Sequence, residues 1–382
     1  RAVKRQLMSD VPLGLLLSGG VDSGLLLALM NLYGKEWPTF SIGYGESFKD
    51  DELRDAARTA TIFGARHTGI QIDRKTFDEA LPTIVGCLEE PVASSSIVPM
   101  YFVSKRARED VKVALIGQGP DECFGGYTRH LGVRYGACWR ALPGWLRTAG
   151  TTLANAVPRH EAWKRGVYSL DVPNRMRRFQ HVFSIAPGED IDGLFQEGVL
   201  PPDPGDKVLE FWGDLEPSMA SMDDLGAFQL LELRSSLPDE LLMFGDKLSM
   251  AHSLEVRVPY LDKEIVEFVQ RLPGDYKVRN WSRKWLHKRI CSHFLPKEVI
   301  SRKKRGFAVN VVDKWFRASF ENWIDRILID PDSFIFKLLH RPRISHLLEQ
   351  HRSGRQDNHK ILFSLVGLEV WKRYQDLNCR LS

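Results

Sequence analysis

The chain has 382 residues, enough to bury a large core as one big domain or two moderate ones. Hydrophobic residues make up 43% and charged residues 27%, an ordinary globular balance that excludes the disordered and membrane classes. A formal net charge of +4 is too mild to mark a duplex-binding surface, so nucleic acid is not an expected partner, while small anions remain compatible.

The first predicted strand is the apolar run Leu13 to Leu17, ending in Ser18-Gly19-Gly20; Leu25, Leu26, Leu27, Leu29 and Met30 then read as a buried helix. A second strand is expected over Thr39 to Ile42, closed by Gly43 and Gly45, with helical spacing from Asp51 to Phe63. A third covers His67 to Ile72. Helices around Phe77 to Leu88 and Pro99 to Arg108 lead to a fourth strand, Val111 to Ile116, which ends in Gly117. Strands alternating with helices predict an α/β fold, a parallel sheet covered by helices on both faces. Ligands of such sheets sit beyond the carboxyl ends of the strands, where both glycine-marked loops fall.

From Trp139 to Pro217 the chain is rich in Pro, Gly and Trp with weak periodicity, and from Met222 onward the pattern is helical. The expected organisation is an α/β domain over 1–135, an irregular or helical insertion over 136–220 and a mainly helical part over 221–382. The chain opens at Arg1 in a pattern that reads as the tail of a helix, which suggests an excised domain with more chain upstream. The five cysteines, Cys87, Cys123, Cys138, Cys291 and Cys379, are scattered and never spaced as CxxC. They predict neither a disulfide framework nor a zinc site, and a reducing cytoplasm is the natural setting. The apolar stretch from Val11 to Met30 is broken by Ser18-Gly19-Gly20 and Asp22, so no membrane span is expected there.

The strongest chemical signal is Ser18-Gly19-Gly20-Val21-Asp22-Ser23 between an apolar strand and an apolar helix. Glycines at such a turn let backbone N–H groups approach an anion, and the helix N-terminus adds partial positive charge. Ser18 and Ser23 offer hydroxyls to phosphate oxygens, and Asp22 offers a carboxylate to Mg2+. The plain structural alternative is a turn in which Ser or Asp caps the helix. The motif is neither GxxxxGK[ST] nor GxGxxG, so kinase-like and dinucleotide-binding readings fall away.

Ser18 to Ser23 resembles the SGGxDS signature of the pyrophosphatase-loop (PP-loop) enzymes, which cleave ATP between its α and β phosphates. Gly117-Gln118-Gly119-Pro120-Asp121-Glu122-Cys123-Phe124-Gly125-Gly126-Tyr127 resembles the GxGxDExFGGY segment of asparagine synthetases. Asp246 to Asp262 resembles their D-x-x-S-M-A-x-S-L-E-x-R-x-P-x-L-D block, Lys284-Trp285-Leu286 their K-x-L element, and Arg302 to Phe307 their R-K-K-x-G-F element. The likeness runs in family order along nearly the whole chain and is weakest in the middle.

The resemblance implies an adenine nucleotide alpha hydrolase-like fold and an ATP-dependent amide synthetase. Such an enzyme adenylates a carboxylate, with the aspartate side chain the leading substrate, and passes it to ammonia or an amine. It implies Mg2+ held by Asp22 and Asp121, and ATP bound by Leu17, Ser18, Gly19, Gly20, Asp22, Ser23, Ile42, Ile116, Gly117, Lys303 and Lys304. Lys284 matches the family's catalytic lysine, although by spacing alone it reads as one more cation on a basic helix face. Glu255, Arg257, Asp246 and Asp262 read as salt-bridge residues, with a substrate-holding role as the alternative.

Gln118, at the second catalytic position, departs from the acidic residue common there in asparagine synthetases. Glutamine takes no proton but orients a substrate by hydrogen bonds, so base catalysis from this position is excluded. Two alternatives follow: a β-lactam, macrolactam or other biosynthetic amide synthetase acting on a larger acid, and a nucleotide-binding scaffold without catalysis. The family's glutaminase domain, with its N-terminal cysteine, has no counterpart in this sequence, so an upstream domain, a partner subunit or free ammonia is expected to supply nitrogen. The sequence does not fix the oligomeric state, a homodimer being one form it allows.

Overall fold

The computed structural model describes residues 1–44, 52–157, 161–302 and 323–381. They form two compact units: Arg1–Glu89 with Ser95–Tyr127 and Glu232–Val311, and Glu90–Ser94 with Thr128–Leu231 and Val312–Ser382.

The first unit is built on five strands: β1 (Leu13–Leu16), β2 (Pro38–Gly43), β3 (Arg66–Gln71), β4 (Val113–Ile116) and β5 (Glu255–Arg257). All pair in parallel, in the order β3-β2-β1-β4-β5. The chain steps outward from β1 through β2 to β3, then returns to the far side of β1 as β4. The carboxyl ends of β1 and β4 therefore flank the point where strand order reverses, the usual ligand crevice of such sheets.

Four helices connect the first four strands: α1 (Val21–Met30), α2 (Leu53–Ile62), α3 (Arg74–Gly86) and α4 (Ile97–Asp110). Because parallel strands are covered on both faces, β1 and β4 carry almost unbroken apolar runs, and every residue of both is buried. Leu13, Leu15, Val113 and Leu115 pack with Leu25, Leu26, Leu27 and Met30 of α1, whose apolar residues run right round the helix. Leu17 N–H donates to the Phe40 carbonyl at 2.8 Å, extending the β1–β2 ladder one residue beyond β1. The edge strand β3, with sequence RHTGIQ, is correspondingly polar and partly exposed.

The four predicted strands fall at the observed positions, displaced by at most two residues at either end. β5 differs from expectation, since the chain after Met222 reads as helical. Three residues are too few to show an alternating pattern above the helical background. Glu255 and Arg257 do pair, at 2.6 Å, but along this strand rather than on a helix. Asp262 caps the helix Lys263–Gln270, accepting from Glu264 N–H, and pairs with Arg5 at 3.2 Å.

The second unit is helical. Residues 139–217, which show little periodicity, contain the helices Gly144–Ala156, Glu161–Leu170, Arg175–Phe183 and Pro204–Gly213. Phe179, Trp212, Met219, Phe228 and Leu231 form one of its cores. Among the described residues no helix is long and apolar enough to cross a membrane.

Candidate active site

Between β1 and α1 the chain turns on Ser18 to Gly20. Ser23 Oγ donates to the Ser18 carbonyl at 3.1 Å and lies 2.9 Å from Ser18 Oγ, while Gly20 N–H donates to Ser18 Oγ at 3.2 Å. The two serines thus brace the loop from inside. Gly20, extended at φ −84°, is the N-cap residue, and no side chain caps the helix there. The first N–H groups of α1 therefore keep their capacity for an anion. From outside, Arg302 Nη1 donates to the carbonyls of Gly19 and Asp55 and to Thr59 Oγ1, at 3.1, 2.9 and 2.7 Å.

The β4 exit closes against this loop. At Gly117 an added Cβ would stand 3.0 Å from Ser23 N and 3.4 Å from Asp22, so glycine lets the β4 exit approach the start of α1 without crowding. Beyond it lies a one-turn helix, Pro120–Phe124, with Asp121 and Glu122 in its first turn. Cys123 and Phe124 bury themselves against Val269, with Leu261 and Ile265 alongside, and this anchorage fixes the face from which Asp121 projects.

Lys284 joins the two loops. It sits just before the helix Trp285–Cys291 with left-handed backbone, φ +53°, following Asn280 and Trp281, which share that conformation. Three non-glycine residues with positive φ in five positions mark a strained segment, and such segments cluster where geometry serves function. Trp285 is gripped by Arg279 and Arg289, each 5.0 Å from its ring centroid. Held in this way, the Lys284 ammonium is buried with Nζ 2.7 Å from Asp22 Oδ2 and 2.9 Å from Asp121 Oδ1.

The charges follow from this placement. Burial alone would raise the Asp22 carboxyl, but the Lys284 ammonium and the hydrogen bond from His287 outweigh it and hold the carboxyl far below the ordinary carboxylate range. Burial likewise works against the Lys284 charge, and the two carboxylates overcome it, so the ammonium persists at any physiological pH. Glu122 behaves differently. Burial raises its carboxyl despite the 2.6 Å hydrogen bond that Tyr127 OH donates to it, and Asp121 and Glu232 push the same way.

Three residues of the cluster were not expected from the sequence as part of the site. His287 is buried, with Nε2 2.8 Å from Asp22 Oδ1; Tyr260 OH donates to the Asp22 carbonyl at 2.8 Å; and the Cys291 thiol lies 3.6 Å from His287 Nε2. One signal was available for two of them, because Lys284, His287 and Cys291 stand at i, i+3 and i+7 and so share one helix face. Tyr260 gave no local signal.

The other predicted positions fall as follows. The side chains of Leu17, Ile42 and Ile116 are buried at the carboxyl ends of β1, β2 and β4. Gln118 is half-buried, and its amide faces Gly245, where an added Cβ would lie 3.5 Å from Oε1. Lys303 and Lys304 lie outside the described residues.

As a seat for a divalent cation, the site offers two hard carboxylate oxygens close enough together to share one ammonium. An added Cβ at Gly126 would collide with both Asp121 and Lys284, so the cradle is tight around these groups. Among the described residues no group of three or more His, Cys, Asp or Glu side chains could hold a metal alone. The donor set therefore fits Mg2+, which takes one or two protein carboxylates and completes its shell with phosphate oxygens and water.

The profile of a family described as Asparagine synthase matches residues 1–373. The chain belongs to the asparagine synthase family. Its similarity to the glutamine-hydrolyzing asparagine synthetase 1 of Bacillus subtilis (strain 168) is 26% identity over 375 residues, covering 97% of this chain and 57% of that protein. Against asparagine synthetase 3 of the same organism, also glutamine-hydrolyzing, it is 26% over 369 residues, with 92% and 54% covered. A further relative, Amidase chry2 of Gibberella zeae, is 21% identical over 345 residues, or 80% of this chain and 50% of the amidase. This asparagine synthase-family chain thus spans little more than half the length of these relatives.

Proposed function

We propose that the protein is an ATP-dependent amide synthetase. It adenylates a carboxylate, foremost the side chain of aspartate, and transfers the acyl group to ammonia or an amine, releasing AMP and pyrophosphate. The observation that carries this reading is the Lys284 ammonium set between Asp22 and Asp121, at the reversal point of the sheet and beside the uncapped N-terminus of α1.

In the first step a carboxylate oxygen attacks the α-phosphorus, the bond to the bridging oxygen breaks, and pyrophosphate leaves. Ser18, Ser23 and the backbone N–H groups from Gly19 to Asp22 would hold the departing phosphates, where helix dipole and hydroxyls together favour negative charge. Asp22 and Asp121 would hold Mg2+, which supplies charge neutralisation to the phosphate oxygens when bound. Lys284, permanently charged and preset by its backbone, would stabilise the charge that develops at the α-phosphoryl oxygens and then at the acyl oxygen as nitrogen attacks. Gln118 would orient the acid or the amine by hydrogen bonding and take no proton. Lys303 and Lys304 would add phosphate contacts.

The names of the curated relatives support glutamine as nitrogen source, through a glutaminase domain or subunit outside this segment, and a cytoplasmic setting follows from that chemistry. Gln118 in place of a carboxylate favours a second reading, a synthetase that uses a larger acid or another amine. The test is exchange of labelled pyrophosphate into ATP over a panel of acids. Exchange with aspartate supports the first reading, exchange only with another acid supports the second, and no exchange with any acid leaves a non-catalytic nucleotide-binding scaffold.

A further inference from the structure

We infer that His287 is a positioning residue, which fixes the rotation of the Asp22 carboxylate so that Oδ2 stays aimed at the centre shared with Asp121. The inference rests on the reading of Asp22 as a cation-holding carboxylate.

The Asp22 side chain contributes two oxygens with different partners. Oδ2 faces Lys284, and Oδ1 faces His287 Nε2 at 2.8 Å. A carboxylate oxygen only accepts, and Nε2 lies at hydrogen-bond distance from it, so this contact forms when the imidazole presents its N–H there. The imidazole is itself held. It is buried, with the Phe124 ring 5.0 Å away at a 33° tilt and the Tyr260 ring 5.5 Å away edge-on. The same Tyr260 donates its hydroxyl to the Asp22 main-chain carbonyl. Backbone and side chain of Asp22 are therefore gripped by two adjacent aromatic residues, one on each.

A histidine buried only for packing needs some hydrogen-bond partner, and any carbonyl would serve. This one takes the oxygen of Asp22 that does not face the centre, leaving the other oriented toward it. When a cation takes the place of the ammonium at Oδ2, His287 still holds Oδ1, whereas without His287 the carboxylate could turn about Cβ–Cγ. Outer-shell donors of this kind typically alter cation affinity about 10- to 100-fold when removed.

The test uses the full chain and α,β-methylene-ATP, which cannot be cleaved between the α and β phosphates, with binding measured in Mg2+ and in EDTA. H287Q keeps an N–H donor near the position of Nε2, and H287M fills the same space without one. H287M is expected to lose about 10-fold of the Mg2+-dependent gain in affinity while binding in EDTA stays within about 2-fold, and H287Q is expected to retain most of the gain. Equal behaviour of the two variants, or parallel losses with and without Mg2+, overturns the inference. Should H287M not fold, H287N, whose shorter amide falls short of Asp22, gives the same contrast with H287Q. D22N separates the two levels of argument. If D22N loses the gain and H287M keeps it, only the positioning role fails; if D22N also keeps it, Asp22 is not a cation ligand and the inference falls with that reading.

Discussion

Two charge clusters of this molecule are built on opposite stoichiometries. In the sheet-based unit, one buried ammonium, Lys284, serves two carboxylates, Asp22 and Asp121. In the helical unit, one carboxylate, Asp224, serves three arginines, with Arg175, Arg178 and Arg140 at 3.0, 3.1 and 3.4 Å. Arg175 and Arg178 spend further donors on main-chain carbonyls of Met219, Met222, Asp223, Val172 and Pro173. That cluster ties the helix Arg175–Phe183 to the acidic first turn of the helix beginning at Asp224, and its donors are committed to the fold. In the first cluster two carboxylates converge on one buried ammonium. The difference between fastening a chain and binding a ligand lies here in which partner is in surplus, not in how many ion pairs are formed.

The largest test of this contrast is kinetic. K284M should lower the rate of carboxylate-dependent pyrophosphate exchange by about 10²- to 10³-fold, the usual cost of removing one preorganised charge-stabilising group. The same variant leaves two carboxylates facing each other, so Mg2+ should raise its melting temperature more than that of the wild type. An equal shift in both proteins would mean that the two carboxylates do not share a cation.

D224A should instead act on stability alone. Leaving its arginines without their carboxylate at a partly exposed site should cost about 2 kcal/mol in urea unfolding, while the Mg2+ dependence of nucleotide binding is untouched. A loss of binding with unchanged stability would reverse the assignment of roles to the two clusters.

A smaller effect is the pH dependence of Asp22. Its carboxyl is held below the ordinary value of 3.8, so the folded state gains stability from it above that pH and loses the gain as pH falls toward the depressed value. The advantage of wild type over D22N, on the order of 1 kcal/mol, should be full at pH 6 and shrink below pH 4 in denaturant titrations. The smallest effect concerns the thiols. Burial pushes Cys123 and Cys291 up to about 12, whereas Cys138 is exposed, so iodoacetamide at pH 8 should label Cys138 first and leave ATP binding unchanged.

The same contrast explains what could be read in advance. The strands and their glycine-marked exits were legible because each is local, an apolar run or a punctuating Gly–Gly, whereas Lys284 was singled out only by the order of the family motifs. The pairing of Asp22 with Asp121 was implied by the family resemblance, while the rule about strand ends placed only their two loops on one edge. Tyr260 was not legible, and His287 showed only as a residue on the helix face of Lys284, since their contacts with Asp22 span more than 200 residues of sequence. The middle stretch resisted for a different reason. Its helices carry exposed apolar residues such as Trp145, Leu153 and Phe211, which blur the periodicity on which prediction depends.

The close approach at Gly117 has a consequence for how this scaffold can change its substrate. A side chain at 117 would crowd the start of α1, with its Cβ 3.0 Å from Ser23 N, so diversification is costly there. One residue later the Gln118 amide faces Gly245, where an added Cβ would meet Oε1 at 3.5 Å, an ordinary contact distance. Libraries that leave 117 untouched and vary 118 and 245 together would explore acid and amine preference while keeping the phosphate-handling loops in register.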